Sequence, residues 1–134
     1  MKTLQPPAWP RPRGYSNGIA ARGTTIAVAG QIGWNANSVF ETDDLVGQMR
    51  QALSNVLIIL AEANAGPQHV VRMTWYLLSR DEYVARLDEI GAAYRELMST
   101  HGNVHYPAMT AVQVAALIEP EAKVEIEVTA ILPD

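Results

Sequence analysis

Cysteine is absent from this chain, which excludes disulfide bonds and thiolate metal ligands together. No apolar run approaches the roughly 18 residues that a membrane span requires. Residues 1–14 also lack the basic-then-apolar pattern of a signal peptide. The cytoplasm is therefore the expected compartment, with no membrane partner. Positive charge is scarce: Lys and Arg total 10 against 14 Asp and Glu, for a net charge of −4. The cations are scattered, and only Arg11, Arg13 and Arg22 fall near one another. The basic stripe that phosphate binding demands is missing, so no nucleic-acid partner is expected. There is no phosphate loop, nucleophile motif or dinucleotide fingerprint, and no cofactor is expected. His101 and His105 are four residues apart, but Gly102 and Asn103 break any helical metal face between them. With His69 far off in sequence and no third ligand evident, no metal site is expected.

What is present suits one domain of 134 residues, with 49% hydrophobic and 18% charged residues. Pro6, Pro7, Pro10 and Pro12 predict an extended N-terminal arm over residues 1–14, with a single domain over 15–134. A β-hairpin is predicted next, with Ser16 to Ala21 and Thr24 to Ala29 as its arms and Arg22-Gly23 as its turn. Asp43 to Ala65 reads as a helix, because Leu45, Met49, Leu53, Val56, Leu57 and Leu60 repeat at helical spacing. Thr42 or Asp43 can cap it, and Gly66-Pro67 stops it. Val70 to Leu78 alternates as a strand, and Ser79-Arg80-Asp81-Glu82 fits a capping box opening a second helix to about Thr100. Strands at Ala108 to Ala115 and Lys123 to Leu132 complete a β-β-α-β-α-β-β order. That order predicts an α+β sandwich with two helices on one face of a mixed sheet. The opposite face is expected to show Val112, Val114, Ile131 and one side of the Val70 strand, an apolar surface of the kind that becomes a subunit interface.

Three short stretches carry a more specific message: Ala29-Gly30-Gln31-Ile32, Tyr106-Pro107-Ala108-Met109-Thr110-Ala111-Val112, and Val124-Glu125-Ile126-Glu127. Together they resemble the Rid (YjgF-like) family of enamine/imine deaminases, over nearly the whole chain from about Tyr15 to Leu132. The resemblance implies a chorismate-mutase-like fold and a homotrimeric barrel with ligand clefts between neighbours. It also implies that Glu125 holds and activates the water that attacks an imine carbon, a role a cleft carboxylate can fill by shuttling a proton. Thr110 would bind a ligand oxygen. Tyr15 would stand at the cleft mouth, and Gly30 and Gln31 would form the loop beside it. Each has a plainer reading: Glu125 and Glu127 as solvated strand carboxylates, Tyr15 as packing, Gly30 as a strand end, Thr110 as an ordinary strand residue. Trp34 could wall an apolar pocket or serve as an interface aromatic.

Met109 is the departure that matters most. Deaminating relatives carry an arginine there that grips the substrate's carboxylate, and a thioether has neither charge nor donor to replace it. Ala29, Gly91 and Ala111 likewise remove polar groups where the family places them. The expected function is hydrolytic deamination of a small enamine or imine with altered specificity, a 2-aminomuconate-like intermediate being one candidate. Arg11, Arg13 or Arg22 could then supply the missing anchor. The alternative is a trimer that binds a small metabolite, or regulates, without turning it over.

Overall fold

The structure, a computed structural model, describes residues 1–134. Its centre is a four-stranded mixed sheet in the order β3 (Thr24–Ile32), β8 (Val124–Leu132), β4 (Val70–Leu77), β7 (Ala108–Gln113). β8 runs antiparallel to both its neighbours, and β4 and β7 are parallel. In β8, Val124, Ile126, Val128 and Ala130 are buried, while Glu125, Glu127 and Thr129 between them are not. Met73, Trp75 and Leu77 of β4 share the buried side. Val70 joins the core instead of Val71, because the register shifts between Val70 and Arg72.

Helix α1 (Leu45–Ala61) lies on β3 and β8, burying Leu45, Met49, Leu53, Val56 and Leu60. Leu57 is only partly buried. Asp44, rather than Thr42 or Asp43, caps α1 by accepting a bond from the Gly47 amide. Thr42 Oγ1 accepts from the Asp44 amide one step earlier. α1 ends at Ala61, before Gly66-Pro67, which instead leads into a 3₁₀ turn over Pro67–His69. Buried Gln48 ties the helix to the β7–β8 connection: its amide donates to Thr42 and Glu121 carbonyls, and its oxygen accepts from the Lys123 amide.

The second predicted helix is two helices, α2 (Arg80–Ala85) and α3 (Leu87–Leu97), so three helices flank the sheet. Ser79 caps α2 through the Glu82 amide, as its sequence predicts. The break falls at Arg86, whose backbone leaves helical geometry while its guanidinium bonds both Asp44 and Glu89. α3 stops short of Thr100, where the second helix was expected to end, and a small hairpin, β5 (Ser99–Thr100) with β6 (Asn103–Val104), follows it.

The N-terminal expectations are overturned. β2 (Gly18–Ala20) does not form a hairpin with β3; it pairs with β1 (Lys2–Leu4), inside the segment expected to be an extended arm without a regular element. The proline-rich stretch is the connection between β1 and β2, and the Gln5 side-chain amide holds it by donating to the Trp9 and Pro10 carbonyls. β3 pairs with the equally long β8, which satisfies far more of its backbone than the short β2 could. Gly23, at φ 141°, allows the crossing there, since any Cβ would sit 2.1 Å from the Leu132 carbonyl oxygen.

The uncovered sheet face is also not the apolar one expected. Val112 is exposed there, but Arg72, Thr74, Tyr76, Glu125, Glu127 and Thr129 give its centre a polar character. No helix is long and apolar enough to cross a membrane.

Candidate functional site

A cavity of about 770 Å³ opens between α2–α3 and the β7 edge of the sheet. Met109 lines it because its register partner is Met73, whose side chain points to the helix side. Ala111, two residues along β7, faces the same way beside Trp75. Tyr15 stands at the opening, fixed by the residue after it: the Ser16 amide donates to the Pro107 carbonyl and its hydroxyl to the Tyr106 carbonyl. From α3 come Gly91, Tyr94 and Arg95, and from the N-terminal segment comes Arg13. Three of the four departures noted in sequence, Gly91, Met109 and Ala111, therefore meet in one cavity; Ala29 does not line it.

The cavity wall is aromatic. Tyr15, Tyr83, Tyr94 and Tyr106 border it, four of the chain's 5 tyrosines. Tyr94 and Tyr106 stack with centroids 5.6 Å apart, and Trp75 meets Tyr83 edge-on. The Tyr94 hydroxyl donates to the His105 carbonyl, and burial holds its pKa far above the usual phenol value. Burial raises Tyr83 likewise, so both phenols stay neutral donors at ordinary pH. Helical spacing places Tyr83 and Tyr94 on the inner side of their helix, but it does not reveal that a strand's end leaves these rings open to a cavity.

Glu125 lies on the other face of the sheet. Its neighbour Ile126 pairs with Trp75 on the helix side, so the Glu125 side chain points away from the cavity. It crosses a bulge in β3, where the register shifts between Val28 and Gln31. A Cβ on Gly30 would come within 2.7 Å of the Glu125 Cδ, so glycine is what lets the carboxylate lie there. Gln31 folds back at the same bulge, its amide donating to the Ala29 carbonyl at 3.1 Å. Next on this face, the Tyr76 hydroxyl donates to Glu127 Oε1 at 2.7 Å. That bond, with burial and the carboxylates of Glu127 and Glu125, holds the Tyr76 pKa above its usual value.

Thr110 is exposed on this second face, paired in register with Thr74. β4 separates it from β8, so it lies roughly 10 Å from the Glu125 strand. It borders a second, smaller depression with Tyr15, Asn17, Arg72 and Met109, so Tyr15 and Met109 line both this depression and the cavity. Trp34 joins neither group; it packs against Phe40, and Asn55 holds its loop through the Ile32 and Trp34 carbonyls. Apart from Trp34, and with Thr110 beside Tyr15 and Met109 in the smaller depression, the sequence-derived residues fall into two sets within one chain. Tyr15 and Met109 share the cavity, whereas Gly30, Gln31 and Glu125 share the bulge on the opposite face.

Two of the three histidine rings have local structural partners. His69 Nδ1 accepts from the Gly66 amide, and His105 Nε2 donates to the Val70 carbonyl.

Comparison with known proteins agrees with this architecture. The family model described as Endoribonuclease L-PSP matches residues 8–132. A RutC family protein of Synechocystis is 31% identical over 136 residues, spanning 99% of this chain and 98% of its own. The 2-iminobutanoate/2-iminopropanoate deaminase of Escherichia coli is 29% identical over 109 residues, covering 81% of this chain and 80% of its own. Among solved structures, a Rid-family protein of unknown function from Yersinia pestis superposes with a TM-score of 0.82 at 31% identity, over 98% of each chain. With sequence and fold matching along nearly its whole length, the chain belongs to the YjgF/RutC/Rid family.

Proposed function

We propose that the protein is an enamine/imine deaminase with altered substrate specificity, and that its catalytic centre is completed between subunits of a homotrimer. The observation that carries the reading is the glycine-lined bulge that seats Glu125, on the face opposite the Met109 cavity. One chain cannot bring the two together, so a neighbour's Glu125 has to close over the cavity. In the reaction, Glu125 takes a proton from water as its oxygen adds to the C=N carbon. The carboxylic acid returns that proton to nitrogen; as the C–N bond of the adduct breaks, its hydroxyl gives up the second proton to the departing nitrogen, so ammonia leaves and a carbonyl compound remains. Thr110 and backbone N–H groups near the cleft mouth hold the polar substrate atoms. Met109 removes the usual charge from the β7 wall of the cavity, which redirects the enzyme from small 2-imino acids to a different substrate. The family model's ribonuclease description has little support from a chain of net charge −4.

A second reading, a metabolite-binding trimer without turnover, draws on the same missing charge at Met109. Ammonia release separates the two. The test uses freshly generated imines and enamines, one panel carrying α-carboxylates and one without, against the wild type and Glu125→Ala. Turnover of the second panel, lost in a folded Glu125→Ala protein, is the expected result. Silence of the folded wild type on both panels would leave the binding reading, and full activity in Glu125→Ala would remove the carboxylate from the mechanism.

A further inference from the structure

Two guanidinium groups border the cavity without a carboxylate partner. The ion pairs of this protein engage Arg50, Arg80 and Arg86; Arg13 and Arg95 have none, although both line the cavity. Arg95 is held in position by what is missing one turn earlier. A Cβ on Gly91 would lie 3.1 Å from Arg95 Nη1, so the guanidinium rests over the bare backbone of Gly91. The pair Gly91 and Arg95, four residues apart on α3, is a seat and its occupant. Asp88 also lines the cavity, but two turns of helix away from Arg95, roughly 10 Å along the axis. The cavity is therefore polarised, positive at the Arg95 end. The hydroxyls of Tyr15, Tyr83 and Tyr106 make no bond to the protein, and the flat Tyr94–Tyr106 stack borders the space between.

We propose that this cavity binds a planar, conjugated carboxylate, its anion held by Arg95 and Arg13 and its unsaturated plane laid against the tyrosine wall. The anchoring charge has moved from the β7 wall, where Met109 now stands, to α3 on the other side of the cavity. A space of about 770 Å³ is in the range that encloses ligands much larger than a three- or four-carbon acid. Displacing the anion to that side gives a longer chain room to reach the neighbour's Glu125 with its C=N carbon. The inference rests on reading the cavity as the substrate half of the proposed site, but its test does not depend on turnover.

The test is calorimetric titration of the full-length protein in its native assembly with sorbate and, as the uncharged match, sorbamide. Sorbate should bind saturably, and its amide about 10- to 100-fold more weakly, the range for losing a charged hydrogen bond. Arg95→Gln should weaken sorbate by a similar factor and sorbamide far less, so that the preference for the anion is lost. Gly91→Leu, which fills the seat and keeps a strong helix former, should do the same with Arg95 still present. Equal affinity for the two ligands, an unchanged sorbate affinity in Arg95→Gln, or no saturable binding of either would overturn the proposal. Failed ammonia release alongside intact sorbate binding would sink the deaminase reading and leave this one standing.

Discussion

Gly30 decides where the Glu125 carboxylate lies. The atoms its missing Cβ would strike are the outer part of the Glu125 side chain, at 2.7–3.0 Å, not backbone. Gly30→Ala should therefore fold normally, with stability changed by about 1 kcal/mol or less, while the carboxylate is pushed aside. Displacement of that size is expected to lower kcat by about 10- to 100-fold. Thermal melts and initial rates on one preparation check both halves, and an unchanged kcat would separate Glu125 from the chemistry. At this scale much was legible. The short motifs named Tyr15, Gly30, Met109 and Glu125 as members of one cleft, but their division into Gly30 with Glu125 on one face and Tyr15 with Met109 at the cavity was not legible in them. What stayed hidden was Arg95, because an arginine on an exposed helix face reads as solvated until its seat at Gly91 is seen. Of Arg11, Arg13 and Arg22, which proximity in sequence could not rank, only Arg13 reaches the cavity.

Among the elements, the Arg86 joint links the start of α1 to the α2–α3 break. Its guanidinium bonds Asp44 and Glu89, and these bonds hold both carboxyls below their ordinary values of 3.8 and 4.5. The Gly47 amide lowers Asp44 further. A depressed folded-state pKa means the unfolded chain binds more protons as acid is added. The stabilisation is thus fully present above about pH 5 and is lost as pH falls through the lowered values. Both carboxylates are substantially exposed, so solvent screening keeps the effect modest. Melting temperatures of the wild type and Arg86→Gln, taken from pH 7 to pH 2.5, should differ most near neutrality and converge in acid. A constant gap across that range would mean that packing, not the ion pairs, holds the joint.

Helix positions were readable because apolar residues recur along them; the break at Arg86 was not, since the periodicity runs on through it and its partner Asp44 is distant in sequence. The β2–β3 hairpin misled for a related reason. Arg22-Gly23 has turn chemistry, but the choice of partner for β3 was made by β8, about a hundred residues away in sequence.

For the whole molecule, the sheet's two faces set the architecture of the proposed site. The helix-side cavity carries Tyr15, Met109 and Arg95, and the other face carries Glu125 over its bulge. Alternation in β8 told from sequence that Glu125 opposes the core. It could not tell that Met109 faces the core side, because the register of parallel β7 on β4 is a tertiary fact. Nor did it show that the uncovered face is polar at its centre, since Arg72, Thr74 and Tyr76 were one of two equally admissible sets. A site split between faces requires a ring in which each copy's Glu125 face meets its neighbour's cavity, a heterologous contact that closes.

In-trans complementation tests that claim most directly. One inactive variant, Glu125→Ala, keeps its cavity; the other, Ala111→Trp, fills the cavity and keeps Glu125. Unfolded together and refolded as mixed oligomers, they should regain about a quarter of wild-type sites, since half the cavities are open and half of those meet an intact Glu125. Ammonia release near that fraction from the mixture, with none from either variant alone, is the predicted result. A mixture as silent as its parents, shown to contain both chains in one oligomer, would contradict a site shared between subunits.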